Sequence, residues 1–202
     1  MKLILKRIGL VFGGLIGIVL LAFLFTSGKV SKVQLSKTIY IEVPKEELWK
    51  ITALDFGGNS KWDAGVNVSE GRGNGLNGSV VGERACYVAV AGIDKIVEQF
   101  VEYDADNYRF KYTGTEGMPD MLKSGTNEWI HKTKGNGTQM TMVVNMELQG
   151  LMGIIMKETM EEAVSTRLGE ALEELKVFAE TGKPHPRKIA ANKKYKAEQA
   201  KK

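Results

Sequence analysis

The sequence predicts an α+β fold in which an antiparallel sheet curves around one long helix. Residues 151–181 have the apolar spacing of an amphipathic helix. From Val66 onward, strand signals follow one another at hairpin spacing, and one further strand and short helical segments precede them. Successive strands followed by a single long helix are typical of an α+β domain.

One face of the long helix is predicted to be covered by the sheet. Its glutamates, among them Glu170, Glu173 and Glu174, lie away from the apolar positions. Gly182 followed by Pro184 indicates the end of the helix. The apolar positions recur at steps of three and four residues and are Met156, Met160, Val164, Leu168, Ala171, Leu172, Leu175, Phe178 and Ala179.

Seven strands are expected. The first spans residues 37–43, and a helix over residues 45–53 begins at Pro44, because proline suits the first turn of a helix. The other six strands form an antiparallel meander that leads to the long helix. These six strands span residues 66–70, 80–90, 94–104, 108–113, 126–133 and 138–148.

The net charge of +4 is distributed unevenly along the chain. Residues 1–32 carry +5 and residues 182–202 carry +7, which leaves −8 for residues 33–181. An acidic body argues against a nucleic-acid-binding core. We therefore predict an N-terminal membrane anchor with a short linker over residues 1–32, a folded domain from 33 to 182, and a basic, disordered tail over residues 183–202.

An unbroken run of apolar residues and glycine spans residues 8–25 and follows Lys2, Lys6 and Arg7. A run of this length is just sufficient to cross a bilayer and is longer than the apolar segment of most signal peptides. We predict one transmembrane helix, with the N-terminus in the cytoplasm and the domain outside it. The alternative is a signal peptide cleaved near residues 26–28.

Three glycines of the apolar run, Gly9, Gly13 and Gly17, lie nearly on one helix face. Such a face lets a second helix approach closely, so a homodimer through the anchor is one interpretation. Glycine is also simply frequent in membrane helices, and that explanation is favoured here.

The sequence predicts neither a cofactor nor a metal site. Cys86 is the single cysteine, which excludes an intramolecular disulfide and a CxxC metal motif. Residues 73–78 match the GxGxxG pattern of dinucleotide-binding sites, but a strand follows them where that site requires a helix N-terminus. We interpret this segment as a hairpin loop.

Strand parity predicts which side chains face the long helix, because successive residues point to opposite sides of a sheet. The inner set from the last three strands is Tyr108, Phe110, Tyr112, Asn127, Trp129, His131, Met140, Met142, Val144 and Met146.

Two charges share the apolar face of the strands at 80–90 and 94–104, namely Arg84 and Glu98. A charge in a dry core is costly, so either these side chains pair with each other or they face a wet cavity. The alternative is that both strands face the other way and bury Tyr87, Ala89, Val97 and Val101.

A succession of short motifs within residues 37–181 resembles the SRPBCC superfamily, which includes START-related lipid-transfer domains and bacterial polyketide cyclase and dehydratase-like proteins. The motifs are Val43-Pro44, Leu48-Trp49, Lys61-Trp62-Asp63, residues 78–82 with Arg84 and Cys86, Glu98 before Asp104, and Gly137-Thr138. The resemblance implies a helix-grip fold, a seven-stranded antiparallel sheet closing on a C-terminal helix over a hydrophobic cavity that Arg84 and Glu98 line. Together with the predicted anchor, the resemblance leads us to expect a bacterial, membrane-anchored member of this superfamily.

The function predicted from these features is a membrane-tethered binding or carrier domain, whose partners are the membrane and a hydrophobic or amphipathic, lipid-like small molecule. The expected ligand-binding residues are Trp62, Arg84, Val88, Glu98, Phe100, Phe110, Tyr112, Trp129, His131, Met142, Met156 and Met160.

Two other functions are considered. The first is a cyclase- or dehydratase-like enzyme acting on a polyketide-like substrate, in which Glu98 or His131 would move protons and Arg84 would polarise a carbonyl. The sequence has no nucleophile-base pair or metal cluster to support it, so catalysis is not favoured. The second is a structural or protein-interaction domain with a filled core.

Overall fold

The structure, a computed structural model, describes residues 28–90 and 93–201. The apolar run at residues 8–25, with its three glycines, lies outside the described residues. Within the described ranges, no helix is both long and apolar enough to cross a membrane. Because residues 8–25 are outside these ranges, the membrane anchor stays a prediction.

The described residues form one seven-stranded antiparallel sheet, as the sequence predicts. The strands are β1 (Val30–Ile41), β2 (Val66–Arg72), β3 (Glu83–Val90), β4 (Ile93–Asp104), β5 (Arg109–Glu116), β6 (Leu122–Lys134) and β7 (Gly137–Gln149).

The spatial order of the strands is β1-β7-β6-β5-β4-β3-β2. From β2 to β7 each strand pairs with the next one along the chain, as expected for a meander. The first strand returns to pair with β7 along its whole length, from Val30 opposite Gln149 to Ile41 opposite Thr138. It therefore begins seven residues earlier than the predicted strand at residues 37–43, and β1 and β2 are the two edges of the sheet.

Short helical segments follow β1 and cross one end of the sheet. The first is α1 (Lys45–Trp49), which continues into a π-helical turn (Lys50–Leu54) and then a 3-10 turn (Phe56–Lys61). Leu48 and Trp49 are buried, so this segment closes one end of the core.

Helices α2 (Gly150–Ile155) and α3 (Lys157–Thr181) occupy the region predicted as one long helix. They are separated at Met156, whose backbone lies at φ −87° and ψ 0°. The C-terminal end is as predicted, because Gly182 adopts the left-handed conformation that caps many helices. The curved sheet and this long helix make the fold helix-grip-like.

The inner face of α3 packs on the sheet through the predicted apolar positions, of which Leu168, Ala171, Leu172 and Leu175 are buried. One prediction for this helix is wrong, because Glu174 was expected on the outer face and its side chain is fully buried. Two arginines and a backbone N–H surround its carboxylate, which makes the burial of this charge tolerable.

The prediction of a disordered tail is also wrong, since a fourth helix, α4 (Pro186–Gln199), follows α3. Pro186 starts the helix, and Nδ1 of His185 accepts a hydrogen bond from the backbone N–H of Arg187 at 3.1 Å. Arg187 pairs with Glu173 and Glu174 of α3. Arg187, which the composition suggests is solvated, thus has two acidic partners on the neighbouring helix.

Candidate ligand-binding site

A cavity of about 300 Å³ lies between the inner face of the sheet and α3. The sheet, the N-terminal half of α3 and the segment that enters β2 each contribute to its walls. The lining residues are Asn59, Trp62, Asp63, Gly65, Val66, Arg84, Cys86, Val88, Ile96, Glu98, Tyr112, Asn127, Trp129, Met142, Val144, Val164, Arg167, Leu168 and Ala171.

Arg84 and Glu98 pair with each other, and both side chains line this cavity. The two explanations for charges on this apolar face, mutual pairing and a position in a cavity, therefore both hold. They are opposite each other in the register of β3 and β4, and Nε of Arg84 lies 2.6 Å from Oε2 of Glu98. Nη1 of Arg84 donates to the carbonyl oxygen of Phe56 at 3.3 Å, and the guanidinium lies 4.2 Å from the centre of the Phe56 ring. Burial alone would lower the pKa of Arg84, but the Glu98 carboxylate raises it, so the arginine stays charged.

The inward orientation of this face of β3 and β4 is confirmed. Arg84 and Cys86 are buried, whereas Tyr87 and Val101, which the opposite orientation would bury, are exposed. Val97 is buried as well, next to an irregularity in the pairing of β4 with β5. A shift of this kind locally changes which side of the strand is covered.

A second charged group lies at the opposite wall, where α3 meets the segment before β2. Oδ1 of Asp63 accepts hydrogen bonds from Nη2 of Arg167 and from the backbone N–H of Gly65, each at 2.7 Å. Burial raises the pKa of Asp63, and this effect exceeds the lowering caused by Arg167.

Glu174 connects this second group to α4. Its carboxylate accepts hydrogen bonds from Ala64 N at 2.9 Å, Arg167 Nη2 at 2.7 Å and Arg187 Nε at 2.9 Å. Burial alone would raise the pKa of Glu174, but these donors lower it, so the carboxylate stays ionised. Nζ of the buried Lys188 donates to the carbonyl oxygen of Val66, a cavity residue, at 2.6 Å. Helix α4 is thus held against the cavity wall.

The remaining polar groups of the cavity are uncharged. Nδ2 of Asn127 donates to the hydroxyl of Tyr112 at 2.9 Å. The thiol of Cys86 contacts the amide of Asn59. Burial raises the pKa of Cys86 to about 11, so its sulfur is a protonated thiol rather than a reactive thiolate at neutral pH.

Seven of the twelve residues predicted to bind a ligand line the cavity, and five do not. The seven lining residues are Trp62, Arg84, Val88, Glu98, Tyr112, Trp129 and Met142. The other five, none of them among the described lining residues, are Phe100, Phe110, His131, Met156 and Met160. Phe100 and Phe110 belong instead to an aromatic cluster around Phe56, whose ring stacks on that of Phe100 at 4.0 Å. Met156 separates α2 from α3, and Met160 packs at the margin of the core.

His131 is fixed by structural hydrogen bonds. Nδ1 donates to the carbonyl oxygen of Tyr108 at 2.9 Å, and Nε2 lies 2.9 Å from the hydroxyl of Thr52. Burial lowers the pKa of His131 to about 4, so the ring is neutral at physiological pH. The three groups invoked for the enzyme alternative are therefore not brought together, because Arg84 and Glu98 line the cavity and His131 does not.

Several cavity residues are missing from the sequence prediction. Asn127 shares parity with Trp129, so the pattern that identifies one identifies the other. Arg167 lies at helical spacing from Val164 and Ala171 and belongs to the same face of α3. A charged side chain on a helix is usually solvated, so the apolar pattern does not mark Arg167 as a cavity residue. The described residues contain no group of three histidine, cysteine or acidic side chains that could hold a metal ion.

Solved structures similar to this one share its fold at low sequence identity. A Thermus thermophilus protein, TTHA0849, is 18% identical, with a TM-score of 0.58 over 79% of this chain and 99% of that one. Ara h 8.0201 is 14% identical, with a TM-score of 0.56 over 74% of this chain and 98% of that one. The Zhui aromatase/cyclase from Streptomyces sp. R1128 is 16% identical, with a TM-score of 0.57 over 77% of this chain and all of that one.

None of the curated proteins matches this sequence. Residues 32–180 match the model of a family described as polyketide cyclase / dehydrase and lipid transport. The matched range includes the whole sheet except the first two residues of β1, and nearly all of α3. The chain therefore belongs to the polyketide cyclase / dehydrase and lipid transport family.

Proposed function

We propose that this protein is a membrane-tethered binding domain for a small hydrophobic or amphipathic molecule. The observation that carries the proposal is the cavity between the sheet and α3, whose walls are mostly apolar and contain a few fixed polar groups. This combination is the usual composition of a small-molecule site. Membership of the family and the likeness to an aromatase/cyclase support a ligand-binding domain.

The size of the cavity restricts the lipid-like ligand predicted from the sequence. Its volume of about 300 Å³ lies at the lower end of the range of roughly 300–1,000 Å³ found for ligand sites. A single-chain or ring-sized molecule is compatible with this space, whereas a complete two-chain phospholipid is not.

The tether is proposed from the apolar run at residues 8–25 and its positive flank. It would hold the cavity near the bilayer, where apolar molecules are concentrated. Intact-mass measurement of protein extracted from membranes tests this part. A chain that retains its N-terminal residues is the expected result, and a mature N-terminus near Lys29 would contradict the anchor.

Native mass spectrometry of the full chain after membrane extraction tests the binding function. We expect a bound apolar species on the wild-type protein and its loss in Ala171→Phe, because Ala171 lines the cavity and the larger side chain fills it. Ala163→Phe is the matched control, since Ala163 lies on the exposed face of the same helix. A wild-type protein that repeatedly carries no adduct and does not respond to lipophilic probes would refute the binding function. An adduct retained by Ala171→Phe would place the ligand elsewhere.

A further inference from the structure

Each charged side chain that lines the cavity already forms an ion pair with an oppositely charged one. Arg84 pairs with Glu98 at 2.6 Å, and Asp63 pairs with Arg167 at 2.7 Å. Arg167 also contacts Glu174, which is itself held by Arg187 from α4. A ligand with a charged head group would have to separate one of these pairs or bring an unmatched charge into a buried site, and both are unfavourable.

The uncharged polar groups of the cavity walls, in contrast, are not all satisfied. Five buried side-chain nitrogen or oxygen atoms in residues 28–90 and 93–201 have no hydrogen-bond partner, and three of them belong to side chains that line this cavity. They are Nε1 of Trp62, Nε1 of Trp129 and Oδ1 of Asn127.

The two indoles are firmly buried neighbours. Trp62 and Trp129 are 2% and 3% exposed, and their ring centres are 6.1 Å apart. Asn127 uses its Nδ2 for the hydroxyl of Tyr112, which leaves Oδ1 as a free acceptor. Buried polar groups in proteins are nearly always hydrogen-bonded, so these two donors and one acceptor in the walls of a single cavity are groups that a bound molecule would satisfy. Neighbouring protein atoms cover all three, so the two indoles and the amide have to turn slightly towards the cavity when that molecule binds.

The volume of the cavity sets the size of that molecule. About 300 Å³ is roughly ten times the space that one water occupies in the liquid. If each non-hydrogen atom takes up the volume of one water or somewhat less, roughly ten to fifteen such atoms fill this space. Such a molecule is the size of one or two fused rings with a single polar substituent.

We propose that the cavity binds a compact, electrically neutral, mostly apolar molecule. Its polar end has an acceptor for the indole N–H groups of Trp62 and Trp129 and a donor for Asn127. The inference rests on the proposed function and specifies its ligand class. In this arrangement the pair formed by Arg84 and Glu98 completes the cavity wall and does not hold the polar end of the ligand.

Calorimetric titration of the full chain in lipid nanodiscs, with empty nanodiscs as the blank, tests this proposal with three probes. 2-Naphthamide is neutral and has both an acceptor and a donor. 2-Naphthoate has nearly the same shape and a negative charge. Dodecanoate is also negatively charged, and its apolar part is a long flexible chain. We expect the dissociation constant of 2-naphthamide at pH 7 to be at least about tenfold lower than that of either anion, because neither anion has a free cationic partner.

Two variants test the hydrogen-bonding groups. Trp129→Phe removes one indole N–H and is expected to weaken 2-naphthamide binding roughly three- to tenfold, and the nearly isosteric Asn127→Leu is expected to do the same. Trp49→Phe is the matched control, because Trp49 is buried in the aromatic core and does not line the cavity. Thermal unfolding of each variant establishes that it is folded before its affinity is compared.

The outcomes separate this inference from the function on which it rests. If 2-naphthoate or dodecanoate binds as tightly as 2-naphthamide, the neutral, compact class is overturned while the binding function stands. If Trp129→Phe and Asn127→Leu both behave like Trp49→Phe, the assigned hydrogen-bond partners are overturned. If none of the three probes binds, the proposed function is overturned together with the inference.

Discussion

Arg84 and Glu98 form an ion pair between directly opposed positions of β3 and β4, inside the cavity rather than at the surface of the sheet. The arginine is almost fully buried and lies against the ring of Phe56. In such a place each charge makes the other tolerable, so the pair acts as one unit.

Removal of one member of this pair is expected to be more harmful than removal of both. Arg84→Met leaves the Glu98 carboxylate without its partner and should lower the free energy of unfolding by about 3–5 kcal/mol, and Glu98→Gln should also be destabilising. The double variant should recover much of this loss. Denaturant unfolding of all four proteins measures the cycle.

Lys95→Met is the matched control for this cycle, because Lys95 is also on β4 and pairs with Glu116 at 2.8 Å in an exposed position. It should leave the free energy of unfolding unchanged within error. Additive effects of Arg84→Met and Glu98→Gln would show that the two buried charges do not depend on each other.

His131 should make the protein less stable in acid. Its pKa is about 4 in the folded state against 6.5 for the free side chain, so the unfolded chain binds more protons between these values. The free energy of unfolding therefore falls as the pH drops from 6.5 to 4, by about 3 kcal/mol for this group.

Comparison of variants isolates the contribution of His131 from that of the carboxylates, which titrate in the same pH range. Unfolding measured from pH 7 to pH 4 should depend less on pH in His131→Asn than in the wild type. Parallel curves for His131→Asn and the wild type would mean that the ring is not buried in its neutral form.

Glu174 should be far more important for stability than its neighbour Glu173. Glu174→Gln removes the negative charge that is shared by Arg167 and Arg187, and we expect it to lower the free energy of unfolding by about 3–5 kcal/mol. Glu173→Gln is the matched control, since this side chain is 59% exposed and also pairs with Arg187, at 2.7 Å. Its effect should be no more than about 1 kcal/mol. Similar losses for the two variants would contradict the buried role of Glu174.

Two glycines of the α3 region should respond to alanine in opposite directions. Gly182 has a φ of +69°, a conformation that costs an alanine about 1 kcal/mol, so Gly182→Ala should lower the melting temperature. Gly169 lies within α3 with open space around its Cα, so Gly169→Ala should raise it through a gain in helix propensity of about 0.5–1 kcal/mol. Thermal unfolding of the two variants compares them directly, and a shift in the same direction would contradict this account.

The fold was predictable because its signals are periodic. Alternation along the strands identified the inner face of β5, β6 and β7, and helical spacing identified Leu168, Leu172 and Leu175 on α3. The seven strands were found with their ends displaced by a few residues. The sequence does not predict that β1 begins as early as Val30. The first residues of this strand are extended because they pair with β7, and local sequence does not reveal such a pairing.

The site was only partly predictable, because hydrophobicity cannot distinguish a cavity wall from a packed core. Phe100 and Phe110 have the same parity signals as Tyr112 and Trp129 but fill the core beside the cavity. Glu174 was misplaced for a related reason, since an acidic residue on a helix is usually solvated. Its burial depends on Arg167 and on an arginine that only the docked position of α4 brings close.

Hydrogen bonds that involve side chains join the two edges of the sheet to neighbouring elements. At β1, Nζ of Lys176 donates to the carbonyl oxygen of Tyr40 at 3.0 Å, and just beyond the strand the backbone N–H of Glu42 donates to Glu180. At β2, the hydroxyl of Ser69 bonds to the 3-10 turn (Phe56–Lys61) that packs beside it.

These contacts bear on how the molecules behave when they are crowded together. An open edge strand is a template on which a strand of another chain can add, and this addition is a common route to aggregation. Along these stretches a strand from a neighbouring molecule would first have to displace α3 or the 3-10 turn. The helix that encloses the cavity therefore also keeps each sheet separate from those of its neighbours.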